Sequence, residues 1–239
     1  MRLCLVMTSI LFAHAAGAAD TASCPHPYFP MEEGLKLTYR AGKAEVVVSF
    51  SDVRASSTGT SAKLHLNHKE RGGATTAQCT PEGILTELGG LEGAALSMSG
   101  MDVKVVASEG IAMPPPAQLT NGAQWANTLS LELRPPKGTS FAFAVVKTKF
   151  RKESSVVGTE RVSVAGRSWD ALRVRNRLTA MAGTSGERTV ESTMWIAPEV
   201  GILRIQTGQS IDFELIKIDS PRTAKGTGTA LLGGRGASR

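Results

Sequence analysis

Between residues 35 and 215 apolar and polar side chains alternate with a period of two, in short runs. Leu35, Leu37 and Tyr39 alternate with polar neighbours, and Ala44 to Phe50 is rich in β-branched residues. Ala62, Leu64 and Leu66 alternate with Lys63, His65 and Asn67; Leu129, Leu131 and Leu133 alternate with Ser130, Glu132 and Arg134. Leu172 and Val174 face one way and Arg173, Arg175 and Arg177 the other. Ile211, Phe213 and Leu215 alternate with Asp212 and Glu214. A two-residue period puts one face of a strand on a core and the other in water. Further strands are expected over 74–79, 84–88, around Val103, Val105 and Val106, and over 140–150, 156–165 and 189–195. Pro and Gly recur roughly every 8–12 residues, the spacing of an antiparallel sandwich or barrel. Outside the first residues no segment shows a helical period.

The sharpest turn signal is Trp195-Ile196-Ala197-Pro198-Glu199-Val200-Gly201-Ile202-Leu203. Pro198 presets a turn, and Gly201 can take the left-handed conformation that closes a loop of three to five residues. Cys79-Thr80-Pro81-Glu82-Gly83-Ile84-Leu85 is a shorter version of it. The two shared Pro-Glu, Gly and Ile-Leu patterns suggest duplicated halves, 24–113 and 117–219, joined by the stiff run Pro114-Pro115-Pro116.

The ends change the reading of compartment and charge. Met1-Arg2 is followed by an uncharged apolar run to Ala19, with Ala16-Gly17-Ala18 fitting a small-x-small cleavage rule. Residues 1–19 therefore read as a signal helix rather than a membrane span. Residues 20–219 are the expected β domain, and 220–239 a low-complexity, disordered basic tail. The whole chain carries +6; removing Arg2 leaves +5, and Arg222, Lys225, Arg235 and Arg239 follow the last acid, Asp219. The body is thus close to neutral, which argues against a nucleic-acid partner. Cys4 leaves with the signal, and the remaining pair, Cys24 and Cys79, reads as a disulfide in an oxidising compartment. Lipidation at Cys24 is the weaker alternative, because no Leu stands three residues before it and Asp20 interrupts the apolar run.

Candidate chemistry is sparse. His65 and His68 on a strand point to opposite faces and cannot share an ion, so no metal is expected. H-E-x-x-H, C-x-x-C, G-x-S-x-G, P-loop and G-x-G-x-x-G patterns are all absent, and no cofactor is implied. Glu32, Glu33, Glu82, Glu199, Asp212 and Glu214 fall at turns or on polar strand faces, and no acid pair stands out. Trp125, Trp169 and Trp195 each sit beside a turn; they read as core packing first and as a ligand-lining set second. The row Arg173, Arg175 and Arg177 reads as a solvated face that discourages edge pairing, with an anionic headgroup or polysaccharide as the alternative partner.

Several motifs together resemble the TapB-like family of exported bacterial β proteins, a domain of unknown function. They are Cys24, Pro27-Tyr28-Phe29-Pro30, Gly34 and Tyr39; Cys79 with Pro81, Gly83 and Ile84; Gly122 with Trp125; Val162-Ser163-Val164-Ala165-Gly166 leading into Asp170-Ala171-Leu172-Arg173-Val174; and Trp195-Ile196-Ala197-Pro198 before Val200-Gly201. The resemblance covers about residues 24–207. It departs at Glu199, where the family has Gly, and at Leu37, where Trp is common. It implies an envelope location and an antiparallel β fold, and supplies no catalytic residue.

The expectation is an all-β, antiparallel curved sheet, as a sandwich or partly open barrel, in a periplasmic or secreted protein with no transmembrane span after signal cleavage. Its expected role is a non-catalytic binding or assembly module for an envelope protein or an apolar ligand. A lipid or lipoprotein carrier is the second reading, and a hydrolase the third.

Overall fold

The alternating runs become twelve strands: β1 (Lys36–Ala41), β2 (Ala44–Ser56), β3 (Gly59–His68), β4 (Arg71–Thr80), β5 (Gly83–Thr86), β6 (Asp102–Gly110), β7 (Gln124–Arg134), β8 (Val146–Val164), β9 (Arg167–Ala182), β10 (Glu187–Ala197), β11 (Gly201–Thr207) and β12 (Ser210–Asp219). The computed structural model describes residues 26–87, 102–134, 145–182 and 186–221. The expected signal segment 1–19, Cys24, the turn at 135–138 and the tail from residue 222 lie outside the described residues. Pro116–Gln118 forms one turn of 3-10 helix after the proline run.

All twelve strands belong to one antiparallel sheet, in the order β5-β4-β3-β2-β1-β12-β11-β10-β9-β8-β7-β6. The residue sets 24–113 and 117–219 therefore share a sheet, with β1 hydrogen-bonded to β12. The sheet curls until its ends almost meet. Ile84 N donates to Met113 O at 2.8 Å, and Ala112 N donates to Ile84 O at 2.8 Å, so β5 is joined to the segment just after β6. The result is a nearly closed, barrel-like sheet. Closing a sheet on itself removes the exposed edges that invite pairing with other chains.

One strand differs from its sequence reading. The runs 140–150 and 156–165 were expected as separate strands, yet β8 is continuous from Val146 to Val164. Its inward positions Lys152 and Ser154 are polar, as are outward Arg151 and Glu153, so apolar alternation vanishes while the ladder to β9 runs on from Thr148 to Val156. Hydrogen bonding, and not side-chain pattern, holds that stretch extended.

Three apolar clusters line the inside. The first joins β1–β3 to β11, β12 and the tip of the β8–β9 hairpin, and includes Leu37, Tyr39, Phe50, Leu64, Leu203 and Leu215. The second gathers Ile84, Met113, Trp125, Val156, Val174, Met194 and Ile196 near the seam. Leu129, Leu131 and Leu133 pack against Val103, Val105 and Phe150 as the third. A bulge between Val105 and Ala107 leaves Val106 unpaired and 57% exposed, although its neighbours alternate normally. Phe29 and Met31 of the N-terminal arm pack on both the first and second clusters.

The β10–β11 hairpin takes the predicted form, with residues 198–200 as its loop between Ala197 and Gly201. Gly201 has φ +74°, and Glu199 is also left-handed at φ 71°. Glu199 N donates to Pro27 O at 2.9 Å, so the arm clasps the loop and holds this conformation. A β-carbon in the left-handed region is strained, and glycine is not. Glu199→Gly is therefore expected to stabilise the protein slightly, raising the melting temperature by about 1–3 °C; calorimetry of the two proteins checks it, and a lower melting temperature would contradict it.

Candidate functional site

Between the inner faces, beside the seam, lies a largely apolar cavity of about 90 Å³ that is partly open to solvent. The arm contributes Tyr28, Phe29 and Pro30, and β1–β3 contribute Leu37, Tyr39, Val48, Phe50 and Leu64. The seam adds Ile84, Thr86, Ala112 and Met113; β10 and β11 add Met194, Ile202 and Ile205; β8 adds Lys152. The strand alternation that builds the core also builds this wall. Its two ends of sheet order meet here because the sheet curls.

The polar groups in and around the cavity are unevenly satisfied. Tyr39 Oη donates to Ile202 O at 2.9 Å, and burial pushes the phenol pKa up. Ser154 Oγ donates to Asn176 Oδ1 at 2.8 Å on the same wall as Lys152. The Thr86 hydroxyl is buried and has no hydrogen-bond partner. Neither has that of Thr75, two residues along β4 from Ala77, which is the register partner of Thr86. Buried hydroxyls are normally paired, and leaving one unpaired costs about 1–3 kcal/mol.

The three tryptophans occupy other places. None lines the cavity. Trp125 Nε1 donates to Ala112 O at 2.9 Å, fixing β7 to the seam segment. Trp169 packs in the first cluster under the Arg167 guanidinium, 4.4 Å from the ring centroid. Trp195 Nε1 donates to Glu160 Oε2 at 3.0 Å at the edge of an outer groove, which Arg173, Arg175, Thr193 and Gln206 also line. Arg173 pairs with Glu160 at 3.6 Å. Arg204 forks onto Glu214, which also meets Arg40. Arg173, Arg204 and Arg40 thus each meet an acid on the outer face.

The histidines are equally informative. His65 Nε2 lies 2.8 Å from Ser51 Oγ on the outer face, a pairing that sequence spacing gave no reason to expect. The neighbouring carboxylate, Asp52, is held by Lys63 at 2.8 Å, which lowers its pKa. A serine–histidine contact acts on a substrate only with an orienting acid and a cleft, and this one lacks the acid. His68 Nδ1 lies 2.9 Å from Glu45 O at the other end of the strand. Among the described residues no group of three or more His, Cys, Asp or Glu side chains could hold a metal.

His26 is buried, with Nε2 2.9 Å from Pro114 O and Nδ1 without a partner. The neutral ring donates from Nε2; a second proton would sit on a buried nitrogen with no acceptor. Burial lowers its pKa, partly offset by the Pro114 bond. The unfolded chain therefore binds this proton more readily. The stability contributed is complete above the unfolded value of 6.5 and is lost as the pH falls through it towards the lowered folded value. Urea titrations at pH 7.5 and 5.5 are expected to show a loss that His26→Gln, which keeps a donor for Pro114, reduces. An unchanged slope in that variant would contradict the assignment.

No sequence-family profile matches this chain, and no curated protein matches it. One solved structure shares its architecture. A presumed exported protein with a YmcC-like fold from Bacteroides fragilis superposes with a TM-score of 0.59 at 16% identity, over 82% of this chain and 100% of that one. A presumed lipoprotein from Parabacteroides distasonis superposes with a TM-score of 0.49 at 11% identity, over 81% and 99%. At 16% identity the first similarity establishes the fold and nothing more specific.

Proposed function

We propose that this chain is an exported, non-catalytic binding module of the cell envelope, whose curled sheet holds an apolar ligand or group in the cavity beside the seam. The carrying observation is the cavity itself, a partly open apolar chamber whose lining includes Thr86, a residue with a buried hydroxyl that has no hydrogen-bond partner. Such chambers, apolar with a few polar groups, are the usual form of a small-molecule site. The signal-like start and the TapB-like motifs support an extracytoplasmic location, periplasmic or secreted. A carrier that exchanges its ligand is the second reading. It is favoured by the position of the cavity against a seam that two hydrogen bonds join.

The same reading includes a Cys24–Cys79 disulfide. Cys79 is fully buried on β4 and pairs in register with Ile84, which bridges Met113. His26, two residues after Cys24, is bonded to the adjacent Pro114. These contacts of His26 and Cys79 with neighbouring residues of the seam support the pairing.

Titration with an environment-sensitive naphthalene dye tests the cavity. The unaltered protein is expected to bind one dye per chain, and Met194→Trp or Ile205→Trp, each filling the chamber, to weaken binding by about tenfold or more. Absence of saturable binding, or affinity unchanged in both folded variants, would contradict the reading.

A further inference from the structure

The outer groove beside Trp195 is separate from the inner cavity and shares no lining residue with it. It is open to solvent, with a volume of about 330 Å³. Three irregularities of the sheet meet there. β8 bulges at Val157, β10 and β11 shift register beside Trp195, and β11 and β12 shift beside Gln206. Bulges re-aim side chains and recur beside functional sites. Gly158, the register partner of Arg173, has nothing within 4 Å of the place a β-carbon would take, so the ladder leaves open space next to Val157.

Charge pairing singles out one residue of the groove. Arg173 pairs with Glu160 at 3.6 Å, and Glu160 also accepts from Trp195 Nε1. Arg177 has Glu153 and Glu191 as its register partners on either side. Arg175, between those two arginines on β9, is opposite Ser155 on β8 and Thr193 on β10, and Thr193 is opposite Gln206. Among the described residues Arg175 forms no ion pair and no side-chain hydrogen bond. The lining holds Arg173, Arg175 and Glu160, two positive charges and one negative, so a single positive charge is left over. Glu153, Glu160 and Glu191 around it repel a broad anionic surface, whereas one small anion fits between them.

We infer that the groove binds an acidic glycan through a hexuronate residue. The Arg175 guanidinium pairs with the carboxylate, whose planar geometry matches its fork. Ser155 and Thr193 supply hydroxyls for the sugar's own. Gln206 Nε2 donates to Gly208 O at 2.8 Å, which leaves its Oε1 to accept from another sugar hydroxyl. Val157 gives the C–H face of the ring an apolar contact. A phosphate monoester carries about two negative charges, more than this lining balances beside Glu160.

The test is an NMR titration of the full chain at low salt with tetragalacturonate, its full methyl ester and tetraglutamate. Tetragalacturonate is expected to bind about tenfold or more tightly than the ester, which keeps the hydroxyls without the charge, and than tetraglutamate, which keeps the charge without the hydroxyls. Amide shifts should centre on Val157, Arg175, Thr193 and Gln206. Arg175→Gln should weaken tetragalacturonate about tenfold, and Arg177→Gln, flanked by acids outside the groove, should leave its affinity unchanged. Both changes are at exposed positions and should keep the melting temperature of the unaltered protein. Equal affinity for the ester overturns recognition of the carboxylate. Equal affinity for tetraglutamate makes the groove a site for acidic peptide and overturns the glycan. Equal losses in the two variants show general charge attraction and overturn the site.

Discussion

Gly83→Ala is expected to cost roughly 3–6 kcal/mol and to open the seam. Gly83 has φ 129°, a region that L side chains avoid. An alanine β-carbon there would collide with Met113 O and stand 3.1 Å from Pro114 Cα, both on the backbone. No rotamer change relieves a clash with backbone. Either β5 leaves residues 112–113 or the β4–β5 turn deforms, and in both cases the two hydrogen bonds at Ile84 are lost. For a domain of this size the melting temperature should fall by about 10 °C or more. Gly42→Ala is the control, since Gly42 has φ 61° but nothing within 4 Å of its added carbon. A cost for Gly83→Ala no greater than for Gly42→Ala would show that the seam does not hold the sheet closed. Amide exchange at Ile84 and Ala112 reads the same event locally, and faster exchange confined to those residues is expected.

The second large effect concerns the proposed disulfide. A Cys24–Cys79 bond would close a loop of about 55 residues, and removing it should cost about 3–4 kcal/mol. Cys24→Ser is the cleaner variant, because Cys79 is completely buried and truncating it would also leave a cavity. Urea unfolding of Cys24→Ser is expected at a much lower midpoint than that of the oxidised protein. Adding reductant should lower the midpoint of the unaltered protein and leave that of the variant unchanged. An intact mass lacking the two-hydrogen deficit, or equal midpoints under all conditions, would contradict the pairing.

Most of the strand framework was legible because alternation is a strong local signal. Leu129, Leu131 and Leu133, or Leu172 and Val174, declare an inner face without any knowledge of their partners. The β10–β11 hairpin was legible because Pro198 and Gly201 can do few other things. Two kinds of feature were not. Closure is the first: Ile84 meets Met113 across 29 positions of chain, and nothing in either residue names the other. The second is the inner polar set. Lys152, Ser154, Thr75 and Thr86 occupy inward positions where an apolar residue is expected. The same substitution that makes them interesting erases the periodic signal, which is why β8 read as two strands. Trp125, Trp169 and Trp195 drew attention instead because they are large and sit beside turns, but the structure uses them to fix elements through Ala112, Arg167 and Glu160. The burial of His26 depends on Pro114, 88 residues away, which its local sequence does not announce.

These inner polar positions now carry the account. To the fold alone the Thr75 and Thr86 hydroxyls are a cost, since both are buried without a partner. A ligand that fills the chamber would offset that cost.

The most direct test is native mass spectrometry of the protein isolated gently from its own envelope, beside Met194→Trp prepared identically. The account predicts a discrete added mass on the unaltered protein, one per chain, released on denaturation and missing from the filled variant. Only the bare chain mass in both samples, or the same adduct on both, would contradict it.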